Sequence, residues 1–230
     1  MCGRFTQISS GREVHAVMGL DGPEVDLRPR YNIAPSQNAA VVRNDAGGRQ
    51  LSMLRWGLIP TWAKKPDIGN RLINARAETA AEKPSFRAAF SQRRCIVPAD
   101  GFYEWRRECA VRQPWYVTTR GGEPMAFAGL REHWRVPEVA GLQGSLADCQ
   151  PNDIVETFTI LTTGANGAMP SIHHRMPVIL SPEAIRPWLA GEEVELGSAA
   201  EDLLMMHRVS RHMNNPRHDG PECIVALEAP

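Results

Sequence analysis

Short strand-like runs recur along the whole chain with few helix signals between them, and this pattern restricts the fold more than any other feature. Candidates lie at 39–43, 51–56, 95–97, 102–106, 115–119, 125–130, 157–162 and 176–180, where β-branched, aromatic and other apolar residues cluster between turn residues. The turn-rich Asn44-Asp45-Ala46-Gly47-Gly48 joins the first two runs into an expected hairpin. Helix starts are scarcer. Ser10 and Glu13 form a capping box ahead of Val14, Val17 and Met18, which predicts a helix over 11–19. Ser181-Pro182-Glu183 and the Ser198/Glu201 capping box predict two late surface helices. Residues 136–153, with two prolines, two glycines and little periodicity, are expected to form an inserted loop away from any reaction centre. Strands without a regular βαβ order indicate an α+β fold with a curled mixed or antiparallel sheet. At 230 residues, one core and one domain over 1–230 are expected.

No apolar run reaches the roughly 18 residues of a membrane span, and Met1-Cys2-Gly3-Arg4 lacks the apolar stretch of a secretory signal, so a cytoplasmic protein is expected. The five cysteines, at 2, 95, 109, 149 and 223, are widely spaced and form no Cys-x-x-Cys pair. Structural zinc and a disulfide framework are disfavoured, and Cys95 and Cys223 read as core residues. The net charge of zero conceals a segregation. Residues 1–120 carry 19 Lys+Arg against 11 Asp+Glu, a net of +8, and residues 121–230 carry 7 against 15, a net of −8. The basic half is arginine-rich, which suits bidentate phosphate contacts, although a GC-rich coding sequence yields the same bias.

Cys2 is the most unusual candidate for chemistry. Once Met1 is removed it presents an α-amine and a thiol on adjacent carbons, with ordinary pKa values of about 8 and about 8.5. Both can attack one aldehyde and close a five-membered thiazolidine; the bland alternative is a cysteine that happens to follow the start codon. Three polar stretches accompany it. In Leu72–Glu78 (72–78), Asn74 offers an amide to hold an amine, and Arg76 shares its face in an extended segment. In 98–105, Glu104 sits between Tyr103 and Trp105, aromatic neighbours that raise a carboxyl pKa, although a solvent-facing strand position fits equally. In 170–177, His173 and His174 precede an apolar run. Adjacent residues on a strand point to opposite faces, so one proton donor is a better reading than a metal-binding pair. Trp62, followed by Lys64 and Lys65, is placed to stack on an unpaired base, whereas Trp56, Trp105 and Trp115 are assigned to the core.

Met1–Phe5 (1–5), Arg30-Tyr31-Asn32-Ile33-Ala34-Pro35, Arg55-Trp56-Gly57-Leu58-Ile59-Pro60, Asn74-Ala75-Arg76-Ala77-Glu78, Gly101-Phe102-Tyr103-Glu104-Trp105 and Ile172-His173-His174-Arg175-Met176-Pro177, together with Val209-Ser210 and Asn215-Pro216-Arg217, closely resemble the SRAP (SOS-response-associated peptidase) family. The resemblance implies a β-barrel-like core and covalent shielding of abasic sites in single-stranded DNA through a thiazolidine. In that frame Cys2 is the nucleophile, Asn74 orients its amine, Glu104 is the acid/base, and His173 helps to open the sugar and protonates the leaving oxygen. Arg4 and Arg76 bind flanking phosphates, while Pro35, Trp62 and Thr162 shape the groove. The resemblance further implies a lyase-like, self-reversing crosslink and N-terminal self-processing; a monomer without metal or cofactor is expected. Two departures stand out: His174 replaces the acidic residue that often follows the catalytic histidine, and the 136–153 loop is long. The competing readings are an N-terminal-nucleophile amidohydrolase, which also begins with a processed cysteine, and a non-covalent single-strand binding module.

Overall fold

The computed structural model describes residues 2–108, 111–138, 142, 146–167, 169 and 171–228. Its strands are β1 Phe5–Gln7, β2 Arg30–Ile33, β3 Asn38–Asp45, β4 Gly48–Trp56, β5 Asn74–Arg76, β6 Arg94–Ala99, β7 Gly101–Glu108, β8 Val111–Thr119, β9 Met125–Arg135, β10 Ile154–Gly164, β11 Arg175–Pro177, β12 Ile179–Leu180 and β13 Leu204–Arg208. Four short helices accompany them: α1 Gly11–Met18, α2 Ala77–Ala80, α3 Arg87–Gln92 and α4 Pro182–Ala190. The α+β expectation holds, and so does a barrel-like core.

Strands β10, β4, β3, β6 and β9 pair in that order, and β9 pairs back onto β10, closing a five-stranded barrel. Up-down alternation cannot close around an odd ring. One neighbour pair must be parallel, and it is β4 with β10, through Thr157↔Arg55 and Phe158↔Trp56. All other barrel pairings are antiparallel. Closure removes the exposed sheet edges that invite association. A second, five-stranded sheet runs β13-β8-β7-β1-β2.

The space between this sheet and the barrel is filled by one apolar cluster that includes Phe5, Ile33, Trp56, Phe102, Phe127 and Phe158, all buried. Phe5 meets Trp56 edge-on with ring centroids 5.0 Å apart, and Phe102 meets Phe127 at 5.8 Å, so aromatic pairs tie the two sheets together. Each such fully buried side chain stabilises the fold by about 1.5–3 kcal/mol. A second cluster packs Val14, Met18, Trp188 and Leu189 of α1 and α4 against Val42, Ile96 and Ala128, covering part of the barrel's outside.

Local signals account for much of this. Ser10 accepts from the Glu13 amide at 3.3 Å, the Glu13 carboxylate accepts in turn from the Ser10 amide at 2.7 Å, and Gly19, left-handed at φ 59°, ends α1. The hairpin β3/β4 runs from Asn38↔Arg55 to Asp45↔Gly48. Pro182 starts α4 as expected, and Gly191 ends it in the left-handed region. The Ser198/Glu201 box makes no helix. The Glu201 carboxylate instead accepts from the Gly167 amide at 3.1 Å, so a long-range acceptor role displaces the local cap. Cys95 and Cys223 are buried as expected, and so is Trp56. Trp105 and Trp115 are only half-buried: alternation along β7 sets Trp105 on the face opposite Phe102, and Trp115, although on the Val117 face of β8, lies outside the apolar cluster; Trp134 and Trp188 are buried in their stead. In the 136–153 stretch, Val136 and Leu146 pack with Ile59, Ala63, Trp134 and Val155, so this insertion carries a small core of its own; residues 139–141 and 143–145 lie outside the described residues. Among the described residues no helix is long and apolar enough to cross a membrane.

Candidate active site around Cys2

β10 is the spine of the site. Its first part closes the barrel through β9 and β4; beyond Ile160 one edge takes β5 in parallel (Ile160↔Asn74, Thr162↔Arg76) and the other takes β11 antiparallel (Thr162↔Pro177, Gly164↔Arg175). Asn74 and the residues just before Arg175 are thereby carried out of the barrel on both edges of one strand. The turn beneath them requires glycine: Gly57 has φ 118°, and a β-carbon there would lie 2.6 Å from the Gly69 carbonyl oxygen.

From the opposite side, β1 pairs with β7 through Phe5↔Phe102 and Thr6↔Gly101, and the Tyr103 amide donates to the Arg4 carbonyl at 3.0 Å. Continuing that register sets Gly3 opposite Glu104 and brings Cys2 level with Trp105, midway along β7. Cys2 is wholly buried among the inter-sheet cluster, with its thiol 3.7 Å from the Arg4 carbonyl. The Asn74 Nδ2 donates to the Cys2 carbonyl at 2.7 Å, fixing the backbone of the residue whose nitrogen and sulfur are in question. The Asn74 Oδ1 is buried and accepts no hydrogen bond among the described residues.

Burial sets the proton affinities. It pushes the Cys2 thiol well above its ordinary value, reinforced by the negative charge of Glu104 and opposed by the positive chain terminus. Glu104 is 2% exposed, and burial raises its carboxyl while the terminal amine and a hydrogen bond from the Trp105 backbone oppose the rise. Glu104 is therefore a buried strand residue and not a solvent-facing one. His173 is lowered by burial first, then by the same terminal charge. The Arg175 amide donates to the His173 Nδ1 at 3.0 Å, and the Arg175 carbonyl lies 3.3 Å from the same nitrogen, so the Arg175 backbone orients the ring.

The arrangement of the histidines differs from the strand expectation. They lie in the turn before β11, and their rings stack with centroids 4.5 Å apart at 20°, side by side and not on opposite faces. Among the described residues no group of three or more His, Cys, Asp or Glu is placed to hold a metal ion.

The remaining candidates spread outward. Arg76 is exposed at the end of β5. Trp62 projects from the Pro60–Ala63 turn (60–63) and is 58% exposed. Pro35 is half-buried beside Ser36, which holds a left-handed φ of 72° and donates its hydroxyl to the Asn70 side chain at 3.1 Å. Arg4 points the other way: its guanidinium donates to Asn32 Oδ1 at 2.8 Å and to the Met213 and Asn214 carbonyls, each at 3.1 Å, so most of its donors hold the fold together. Thr162 is fully buried and cannot touch a bound strand; it shapes the site from beneath by accepting from Arg175.

Two residues that the sequence reading did not single out complete the frame. Arg175 makes a two-pronged bond to Glu78 at 2.6 and 2.9 Å and also reaches the Thr162 carbonyl, locking α2 to β10 and β11. Buried Asn32 accepts from Arg4 and donates to the carbonyls of Met213, Asn215 and His218, while Asp219 accepts from the Tyr31 and Asn32 amides. Asn32 lay inside a stretch read for its aromatic residue; its polar side chain amid apolar neighbours was the available signal.

The sequence profile of the family described as SOS response associated peptidase (SRAP) matches residues 1–216. The chain is 40% identical to the Abasic site processing protein YoqW of Bacillus subtilis over 97% of its length and 99% of that protein. It is 32% identical to the Abasic site processing protein YedK of Escherichia coli, covering 97% and 99%. It is 33% identical to the Abasic site processing protein HMCES of Xenopus tropicalis, covering 90% of this chain and 69% of that one. A crystal structure of a protein from Bacteroides thetaiotaomicron superposes with a TM-score of 0.82 at 25% identity, over 99% of this chain and all of the other.

Proposed function

The chain belongs to the SOS response associated peptidase (SRAP) family, and from that premise we propose that it processes abasic sites in single-stranded DNA by bonding Cys2 covalently to the ring-opened sugar. The observation that carries this reading is the Asn74 bond to the Cys2 carbonyl, with the buried Cys2 thiol within electrostatic reach of Glu104.

While Met1 is attached, the nitrogen of Cys2 is an amide and cannot form an imine. Hydrolysis of the Met1–Cys2 bond, consuming one water, is the self-processing step this reading assigns to the chain, and it frees the 1,2-aminothiol. His173 takes the proton of the C1 hydroxyl on its unprotonated ring nitrogen and delivers a proton to the ring oxygen of the abasic sugar, exposing the aldehyde and leaving the imidazole neutral again. The amine adds to the carbonyl carbon, and the same imidazole carries the two amine protons in turn to the oxygen, which leaves as water. The Cys2 thiol then adds to the imine carbon. Burial keeps this thiol protonated near neutral pH, so its proton passes to Glu104 as the C–S bond forms, and Glu104 returns a proton to the ring nitrogen. The net change is aldehyde plus aminothiol giving thiazolidine plus water, and the same groups run the sequence backwards to release the strand. Arg76 is free to meet a phosphate and Trp62 to stack on an exposed base; Arg4 contributes chiefly by holding the N-terminal strand, with Pro35 shaping the groove beside it.

The test is incubation of methionine-processed protein with a single-stranded oligonucleotide carrying one abasic site, followed by denaturing electrophoresis. A retarded band that is absent with Cys2→Ala is expected. Full protection of the strand by Cys2→Ala, with no retarded band from the wild type, would reduce the function to non-covalent binding. Release of ammonia from glutamine would point to the amidohydrolase instead.

A further inference from the structure

Away from Cys2, the structure holds an open groove of about 810 Å³ that shares no residue with the proposed reaction. Its banks are Ala16 and Val17 of α1, Ile185 of α4, and the 195–203 segment ending at Leu203; Met125 and Leu180 lie at its floor. The volume falls in the range of roughly 300–1,000 Å³ typical of ligand-binding clefts. Its surface is mainly apolar, and Val17 and Leu203, on different banks, are 37% and 39% exposed. Exposed apolar side chains gathered round one concavity, unlike the same residues scattered singly, mark an interaction site.

The charge around the groove selects the occupant. Glu123 and Glu195 line it, no lysine or arginine does among the described residues, and of the exposed charges close by in the sequence Glu183, Glu192, Glu193, Glu201 and Asp202 outnumber Arg120 and Arg186. Most of the lining comes from residues 121–230, the half with a net charge of −8. An acidic rim repels nucleic acid and attracts cations, whereas the apolar floor gives a simple cation nothing to bury. We propose that this groove docks a short protein segment carrying two or three large apolar side chains flanked by lysine or arginine. The molecule would then hold DNA through its basic half and a protein partner through its acidic half.

Three fluorescein-labelled ten-residue peptides test this by anisotropy: one with a Leu-Phe-Ala-Leu core flanked by Lys and Arg, one with the same core flanked by Glu, and one with the basic flanks and a Ser-Gly core. Only the first is expected to bind. The double charge reversal Glu123→Lys/Glu195→Lys should weaken it roughly tenfold, and Ala184→Trp, which puts an indole into the cleft, should abolish binding. Both variants should melt as the wild type does and form the abasic adduct at the wild-type rate, which separates loss of docking from misfolding and from failure of the Cys2 chemistry. The proposal is overturned if the first peptide does not bind, if it binds both variants as well as it binds the wild type, or if single-stranded DNA displaces it from the wild type. It is equally overturned if light scattering shows a dimer that Ala184→Trp dissociates, because the groove would then belong to a second copy of this chain.

Discussion

Replacing Asn74 with alanine removes a side-chain bond on the backbone of Cys2, the 2.7 Å contact from Nδ2 to the Cys2 carbonyl. A hydrogen bond of this kind contributes about 0.5–1.5 kcal/mol net, and a buried carbonyl left without its donor costs about 1–3 kcal/mol. For a chain of this size each kcal/mol corresponds to roughly 2–4 °C in melting temperature, so a fall of several degrees is expected. If the same contact aims the amine and thiol at the aldehyde, a comparable loss of positioning slows crosslinking by roughly 5- to 150-fold, at about 1.4 kcal/mol per factor of ten. The assay is single-turnover adduct formation with excess protein, far below the melting temperature and with DNA affinity measured in parallel. Affinity should be unchanged and the final yield complete, because Cys2 itself is intact. Asn74→Asp should be slower still, since an acceptor then faces the carbonyl. Crosslinking at the wild-type rate alongside a lowered melting temperature would refute the positioning role and leave Asn74 a structural residue.

The Glu104 carboxyl is raised in the folded state above its unfolded value of 4.5, so the stability it contributes is present below about that pH and is lost as pH rises through the folded value. Glu104→Gln should therefore raise the melting temperature at pH 7–8, with the gain vanishing towards pH 4, while adduct formation slows; thermal melts across pH check the first and denaturing gels the second. Arg175→Ala breaks its bonds to Glu78 and Thr162 together, whereas Glu78→Gln relaxes a partner that is half-exposed and should cost about 1 kcal/mol or less in denaturant titrations. Arg175→Ala should cost visibly more. Gly101→Ala places a β-carbon 2.2 Å from the Tyr116 ring, whose hydroxyl is bonded to Thr6 at 2.9 Å, and should destabilise by about 1–3 kcal/mol or prevent folding, as read by chemical denaturation.

What was legible in the sequence divides by range. The α1 caps and the β3/β4 hairpin are written within a few residues of themselves, and they form where expected. Pairings across long separations are not: nothing in the residues around Trp56 and Phe158 announces the parallel joint that closes the barrel. The Ser198 signal failed because Glu201 answers a distant amide. The histidine pair was misjudged because strand alternation was applied to a turn, where successive rings can stack. Cys2, Asn74 and Glu104 were each visible as chemistry out of place, but their meeting rests on β1, β5 and β7 arriving from separate parts of the chain. Arginines illustrate the limit most clearly: the family resemblance implies that Arg4 is a phosphate ligand, yet most of its donors are committed to Asn32 and the C-terminal segment.

The central claim concerns the nitrogen of Cys2 as much as its sulfur, and intact-mass spectrometry of the DNA adduct tests it most directly. Protein lacking Met1, mixed with an abasic single strand, should give a species whose mass is the sum of the two less one water, stable to denaturant and to borohydride added after reaction, because a closed thiazolidine offers no imine to reduce. A chain in which residue 1 is retained should bind the strand yet give no such species. An adduct of the same mass from the retained chain would contradict the account, since an amide nitrogen cannot enter the ring.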